Sequence, residues 1–210
     1  MSSDPLPKQV LPPPTGAVPA LDDRQAAELR RFGPLGSRTP WREIGYVRPR
    51  NWIADIALGL ALGIALKFLM KALMMPLFGA DPINWAYHSW ARNPALLPAA
   101  IWTCLAAGWG EETLFRGFMF ERFGKLFPPG VGAKMATVLI TSVWFGLGHY
   151  LNQGLAGTEQ ATITGLVFGS IFTFTGRIFM VMIAHAAYDL TALALIYWSL
   201  ETRVAHLIFK

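Results

Sequence analysis

From Asn51 onward the chain is a succession of apolar runs of membrane length, and this restricts its fold more than any other feature. A helix needs about 20 mostly apolar residues to cross the hydrocarbon core of a bilayer. Five such runs are expected to span: 52–78, 95–121, 135–151, 160–176 and 178–200. Short glycine- and proline-marked connections separate some of them, such as Phe127-Pro128-Pro129-Gly130 and Thr175-Gly176-Arg177. No internal repeat is visible. The expected fold class is all-α, a polytopic transmembrane helix bundle of about five spans. A re-entrant or split segment would change that count.

The composition agrees. Hydrophobic residues make up 53 % of the chain and charged residues 15 %, against about 25 % charged in a soluble domain. Mean hydropathy is +0.38. Such a chain cannot cover a water-facing surface, which excludes an ordinary cytosolic enzyme, a disordered chain and a nucleic-acid binder. The net charge of +5 does not argue for nucleic acid, because 8 of the 18 Lys and Arg residues lie in residues 1–50, outside the apolar part. Cys104 is the only cysteine, so there is no internal disulfide and no multi-cysteine metal cluster.

Two regions follow: a Pro-rich, basic N-terminal segment, 1–50, and a transmembrane domain, 51–210. Pro5, Pro7, Pro12, Pro13, Pro14 and Pro19 forbid a regular element in the first twenty residues. Asp22 to Phe32 can form a short amphipathic helix capped by Asp22, laying Arg24, Arg30 and Arg31 on anionic headgroups; the alternative is a solvated tail. No basic stretch followed by an apolar core opens the chain, so no signal peptide is expected.

Lys and Arg set the orientation. Arg38, Arg42, Arg48 and Arg50 precede the first span, Arg122, Lys125 and Lys134 lie between the second and third, and Arg177 lies between the fourth and fifth. The opposite connections carry only Arg92 in 79–94 and no basic residue in 152–159. The positive-inside rule makes the N-terminus cytoplasmic. A bacterial inner (plasma) membrane is the expected location. Lys67 and Lys71, late in the first span, are expected to snorkel to the outer interface.

A charge at bilayer depth costs about 2.5–3.5 kcal/mol on insertion scales. The interior charges are few: Glu111, Glu112 and Arg116 in the second span, His149 in the third, His185 and Asp189 in the fifth. Glu112 and Arg116 share a helix face at i,i+4 and can pair, while Glu111 points about 100° away and is free for chemistry. His185 and Asp189 also share a face. Gly146 and Gly148 leave room beside His149 for a neighbouring helix or a ligand. Taken singly, these groups also fit a structural ion pair, an interhelical hydrogen bond or a proton or ion pathway. Ionisable groups on three spans of one small bundle point to a joint function.

Three motifs run in order through these spans. Glu111-Glu112-Thr-Leu-Phe-Arg116 reads as EExxxR, Phe145-Gly-Leu-Gly-His149 as FxxxH, and His185-Ala-Ala-Tyr-Asp189 as HxxxN/D. Over about residues 95–200 the chain resembles the CPBP family of CAAX prenyl proteases and bacteriocin-processing or immunity proteins, also called the Abi family. The signatures of other intramembrane proteases are missing: there is no HExxH, no GxGD pattern and no rhomboid-type serine context.

The resemblance implies a glutamate-dependent intramembrane endopeptidase. Peptide hydrolysis needs a water, a base for its proton and a stabiliser for the oxyanion. Glu111 is the candidate base, His149 the group that holds or activates the water, and His185 the oxyanion donor. Glu112 and Arg116, with Phe145 of the second motif, are the supporting residues. Asp189 stands where the family pattern allows Asn or Asp. An ionised Asp cannot donate to an oxyanion, so it is protonated, orients His185 or ligates a cation. With neutral histidines, Glu111, Glu112, Asp189 and Arg116 sum to −2, which a divalent cation or two bound protons would relieve. Zinc held by Glu111, His149 and His185 would fit three-ligand catalytic chemistry. The expected substrate is a peptide or protein, membrane-anchored or lipidated. A catalytically idle immunity or scaffold protein and a small proton- or ion-coupled transporter are the rival functions.

Overall fold

The computed structural model describes residues 39–209; the amphipathic helix expected at Asp22–Phe32 lies outside them. In chain order the helices are α1 (Trp52–Leu77), α2 (Trp85–Ala91), α3 (97–126), α4 (Val131–Thr175), α5 (Phe179–Tyr197) and α6 (Glu201–Ala205). Among the described residues there is no strand. α1 widens into a π-helical turn at Met70–Met74 and α3 into another at Thr113–Phe118.

α1, α4 and α5 are long and apolar enough to cross a membrane. α3 matches them in length but carries Glu111, Glu112 and Arg116 mid-helix and Glu121, Arg122 and Lys125 near its end. Leu58, Leu60, Leu105, Leu139, Leu147 and Leu155 stand exposed around the bundle, as lipid-facing side chains do. The protein is an all-α helical membrane bundle.

The polar, glycine-containing stretch 152–159, expected as a connecting loop, is helical except at Gly154. There φ is 63° and ψ −159°, a conformation open to glycine because it has no Cβ. The chain folds back at this point. Gly165 lies against Ser142, Gly146 against Thr162 and Gly169 against Val138, so the two limbs of α4 run antiparallel. A methyl group at Gly146 would overlap the Thr162 hydroxyl. Gly148, by contrast, faces open space. The five expected spans thus have their counterparts in α1, α3, the two limbs of α4, and α5. The second continues to Leu126, beyond the expected end at 121.

α5 is the centre of the bundle. Gly59 and Gly63 of α1 meet the backbone of α5 at Met180 and Ala184, and Gly108 of α3 meets it at Met182 and Ala186. Without a hydrophobic drive between helices in lipid, small residues that admit close van der Waals contact hold them together. Leu66, Met70, Phe168, Phe172, Ile178, Val181, Met182 and Tyr188 fill the core around this contact. The segment before α1 is docked on the bundle: Ile44 is buried, and Gly45 accepts a hydrogen bond from Ile178 N–H at 3.0 Å.

Lys67 and Lys71 do not snorkel to the interface. They are 5 % and 7 % exposed and turn into the bundle, because polar partners await them there. Lys71 Nζ lies 3.1 Å from Glu201 Oε1, which also accepts from Asn84 N–H at 3.0 Å, while Glu201 Oε2 lies 2.9 Å from His88 Nε2. Glu201 therefore clasps α1, α2 and α6 together and gives His88 a structural place. Burial pushes the Glu201 carboxyl up, but the Asn84 N–H and the Lys71 ammonium outweigh it and hold the carboxyl below the usual carboxylate range. The folded form binds this proton more weakly than the unfolded chain. Its stabilisation is complete above the ordinary carboxylate range and disappears as pH falls through the depressed value. Thermal unfolding of detergent-solubilised Glu201→Gln is expected at lower temperature at neutral pH, with a shallower loss of stability on acidification than wild type. An acid limb of unchanged slope contradicts this role.

Candidate active site

The site is built around a buried carboxylate shared by two donors. Gly108 lets α3 touch the backbone of α5, and one turn later Glu112 reaches His185. Glu112 Oε1 lies 2.7 Å from His185 Nδ1 and accepts from Arg116 Nη1 at 2.9 Å. Glu112 is 0 % and Arg116 1 % exposed. Charge-assisted hydrogen bonds are the strong class, and in a low-dielectric interior they fix geometry. The π-helical turn Thr113–Phe118 lies between the glutamates and the end of the motif; such turns recur at functional sites.

Phe145 is the packing hub. Its face lies 4.7 Å from the Arg116 guanidinium, and its ring centroid is 4.7 Å from that of His149 and 5.8 Å from that of His185. Phe168, from the second limb of α4, closes the other side at 5.7 Å from both Arg116 and His185. Arg116 is thus held between two aromatic faces, a favourable setting for a desolvated guanidinium.

Adjacent helical residues diverge by about 100°, and this separates the two glutamates. Glu112 is sealed, whereas the Glu111 side chain keeps 37 % of its exposure and faces a cavity of about 200 Å³. Glu111, His149, His185 and Asp189 all line that cavity, from α3, the first limb of α4, and α5. His185 Nε2 lies 3.7 Å from Glu111 Oε2 and 3.6 Å from Asp189 Oδ2. His149 Nδ1 lies 2.8 Å from the Phe145 carbonyl. The carbonyl can only accept, so Nδ1 donates and a neutral His149 carries its lone pair at Nε2. Of the candidate site residues, Glu112 and Arg116 stand behind the cavity as supports, while Phe145 forms part of its wall. The tight partner that orients His185 is Glu112 at 2.7 Å rather than Asp189 at 3.6 Å.

Glu111, His149 and His185 were the expected zinc ligands. Both histidines commit Nδ1 elsewhere, leaving one nitrogen each. Among the described residues, no three His, Cys, Asp or Glu side chains are gathered so as to hold an ion. The free Nε2 of each histidine is the nitrogen a ligand would use, but the side chains are not drawn together into a preassembled divalent-metal centre. The charge argument for a metal is also weaker than the sequence suggested. Lys67 lines the same cavity, so three carboxylates stand against two cations, and against three when His185 carries both its protons.

Sequence reasoning missed Lys67, Gln160 and Phe168 as members of this site. Lys67 Nζ donates to Gln160 Oε1 at 3.0 Å and lies 4.6 Å from the Tyr188 ring centroid. The available signal was the i,i+4 spacing of Lys67 and Lys71 together with isolated glutamines in apolar runs. Phe168 carried none.

Residues 93–191, a little under half of the chain, match the family described as Rce1-like, type II CAAX prenyl endopeptidase. The match encloses Glu111, Glu112, Arg116, Phe145, His149, His185 and Asp189. No curated protein and no solved structure matches the chain. All three motifs lie inside the matched stretch and their side chains gather around one cavity, so residues 93–191 are similar to a CAAX-type intramembrane protease domain, carried on a bundle whose long apolar helices suit a membrane.

Proposed function

We propose that the protein hydrolyses a peptide bond with a water activated by Glu111. The observation that carries this reading is the divergence of the two glutamates: Glu112 is locked by Arg116 and His185, while Glu111 faces the cavity beside both histidines. In the proposed reaction a water bound between Glu111 and His149 Nε2 gives one proton to the Glu111 carboxylate. Its oxygen bonds to the scissile carbonyl carbon, and the carbonyl electron pair moves to oxygen. His185, which donates from Nδ1 to Glu112 and acts here protonated on both nitrogens, meets that oxyanion with its Nε2–H. When the carbonyl re-forms, the C–N bond breaks and Glu111 passes the proton to the leaving amine. The products are a carboxylic acid and an amine. Glu112 keeps His185 turned toward the cavity, and Arg116 holds Glu112 in place.

The substrate is a membrane-anchored peptide or protein, and the family description suggests one lipidated by a prenyl group. A bacterial inner membrane with a cytoplasmic N-terminus is the proposed setting. Arg42, Arg48 and Arg50 before α1, Arg122 and Lys125 in the last turns of α3, Lys134 in the first turn of α4 and Arg177 between α4 and α5 all fall at one end of the antiparallel bundle, which supports that orientation. The test uses purified, detergent-solubilised protein and a peptide ending in a prenylated cysteine plus three residues. Mass spectrometry is expected to find the released C-terminal fragment with wild type and not with Glu111→Gln. Failure to cut this and other membrane-anchored peptides overturns the reading.

Asp189 separates the water route from a metal route. Asn at this position adds a donor near the oxyanion, so Asp189→Asn is expected to keep or raise activity. Chelator-treated protein, free of zinc by elemental analysis, is expected to keep its rate. A parallel fall of activity and metal content in Asp189→Asn contradicts the water route and favours a metal ligated or oriented by this residue.

A further inference from the structure

A second, larger cavity of about 510 Å³ adjoins the catalytic one, and the two share Lys67, Asn84, Gln153 and Gln160 in their walls. Lys71, one turn on from Lys67, is neutralised by Glu201. Lys67 is not: among the described residues no carboxylate lies within ion-pair range of its Nζ, and its hydrogen bond goes to the neutral Gln160. An ammonium has three donors, and Gln160 takes one. A buried cation without an anion is costly, and a membrane bundle that keeps one at a cavity wall holds it for a ligand or a relay.

We propose that Lys67 binds a carboxylate of the peptide substrate, holding the segment beyond the scissile bond in the larger cavity while Glu111 and the histidines act on the bond. This rests on the peptidase reading above. A singly charged anion fits better than a phosphate dianion, because Asp81 and Glu201 line the larger cavity and Asp189 and Glu111 the smaller. The carboxylate is either the C-terminus of the substrate or an acidic side chain. The competing role is a purely structural one, in which Lys67 offsets the field of Glu111 and Asp189. That role affects every substrate alike.

Three versions of one prenylated peptide separate these cases: the free C-terminal acid, the C-terminal amide, and the amide with Glu as its last residue. With wild type, the amide is expected to show a KM about 10–100-fold above that of the acid, the effect of losing one hydrogen bond to a charged group, with kcat little changed. Recovery with the Glu-containing amide assigns the site to any carboxylate; no recovery assigns it to the C-terminus. Lys67→Met is expected to treat acid and amide alike, and Lys67→Arg to keep the preference. Fluorescence polarisation with the same peptides on Glu111→Gln reads binding without turnover. An acid preference there, lost in Glu111→Gln/Lys67→Met, supports the Lys67 site even if no peptide is cleaved, in which case only the peptidase reading fails. Equal handling of acid and both amides by wild type overturns the proposal, as does an unchanged acid-to-amide ratio in Lys67→Met.

Discussion

Replacing Arg116 by Met is expected to destabilise the folded protein by about 3–5 kcal/mol, the cost of leaving one charge of a buried pair unmatched. The expectation follows from position: Glu112 is fully enclosed, its Oε1 serves both Arg116 and His185, and its Oε2 has no hydrogen-bond partner among the described residues. Without the guanidinium, the carboxylate has only His185 to balance it. Glu112→Leu strands Arg116 between Phe145 and Phe168 and is expected to cost a similar amount. The double variant Glu112→Leu/Arg116→Met removes both charges and is expected to regain much of the stability, because apolar pairs of similar volume often replace buried ion pairs without loss. It is not expected to regain activity, since His185 has then lost the acceptor that fixes its ring. Thermal unfolding in detergent, measured on all three, checks this. Single variants as stable as wild type contradict the account of the pair as a buried, mutually dependent unit.

Much of this arrangement was legible in local spacing. The i,i+4 relation of Glu112 and Arg116 predicted their pairing, and the 100° step between neighbours predicted that Glu111 would face elsewhere; both hold in the structure. What local spacing could not carry is contact between helices. His185 and Glu112 lie 73 residues apart, and nothing in either motif names the other. Asp189, sharing a face with His185, was the local candidate for orienting it, yet the shorter bond comes from α3 because Gly108 brings that helix to the backbone of α5. Lys67 and Lys71 were misread for the same reason. A lysine late in a span can reach either the interface or a buried acceptor, and Gln160 and Glu201, far along the chain, decide between them. The reversal at Gly154 was hidden differently. Residues 152–159 carry loop-like composition, but alanine, leucine and glutamine continue a helix readily, so only the glycine itself interrupts it.

Glu111→Gln is expected to lower the rate of peptide cleavage by about 10²–10⁴-fold, the usual contribution of a general base. The amide keeps the shape and one acceptor oxygen but cannot take a proton from water. Because the Glu111 side chain is partly exposed in a cavity and stands 3.7 Å from His185, beyond hydrogen-bond range, whereas Glu112 is bonded to it at 2.7 Å, the change is expected to leave the unfolding temperature near that of wild type. Glu112→Gln provides the contrast: it weakens the bonds to Arg116 and His185, so stability and activity fall together. A rate loss with intact stability at position 111, and a joint loss at position 112, is the signature of one catalytic and one positioning carboxylate.

The central claim is that Glu111, and no other carboxylate of the cluster, activates the attacking water. Single-turnover cleavage of one membrane-anchored peptide by wild type and by Glu111→Gln, in excess over substrate and followed by mass spectrometry, tests it most directly. The account predicts complete conversion by wild type and a first-order rate lower by about 10²–10⁴-fold for the variant, with both proteins folded. Equal rates for the two proteins would contradict it.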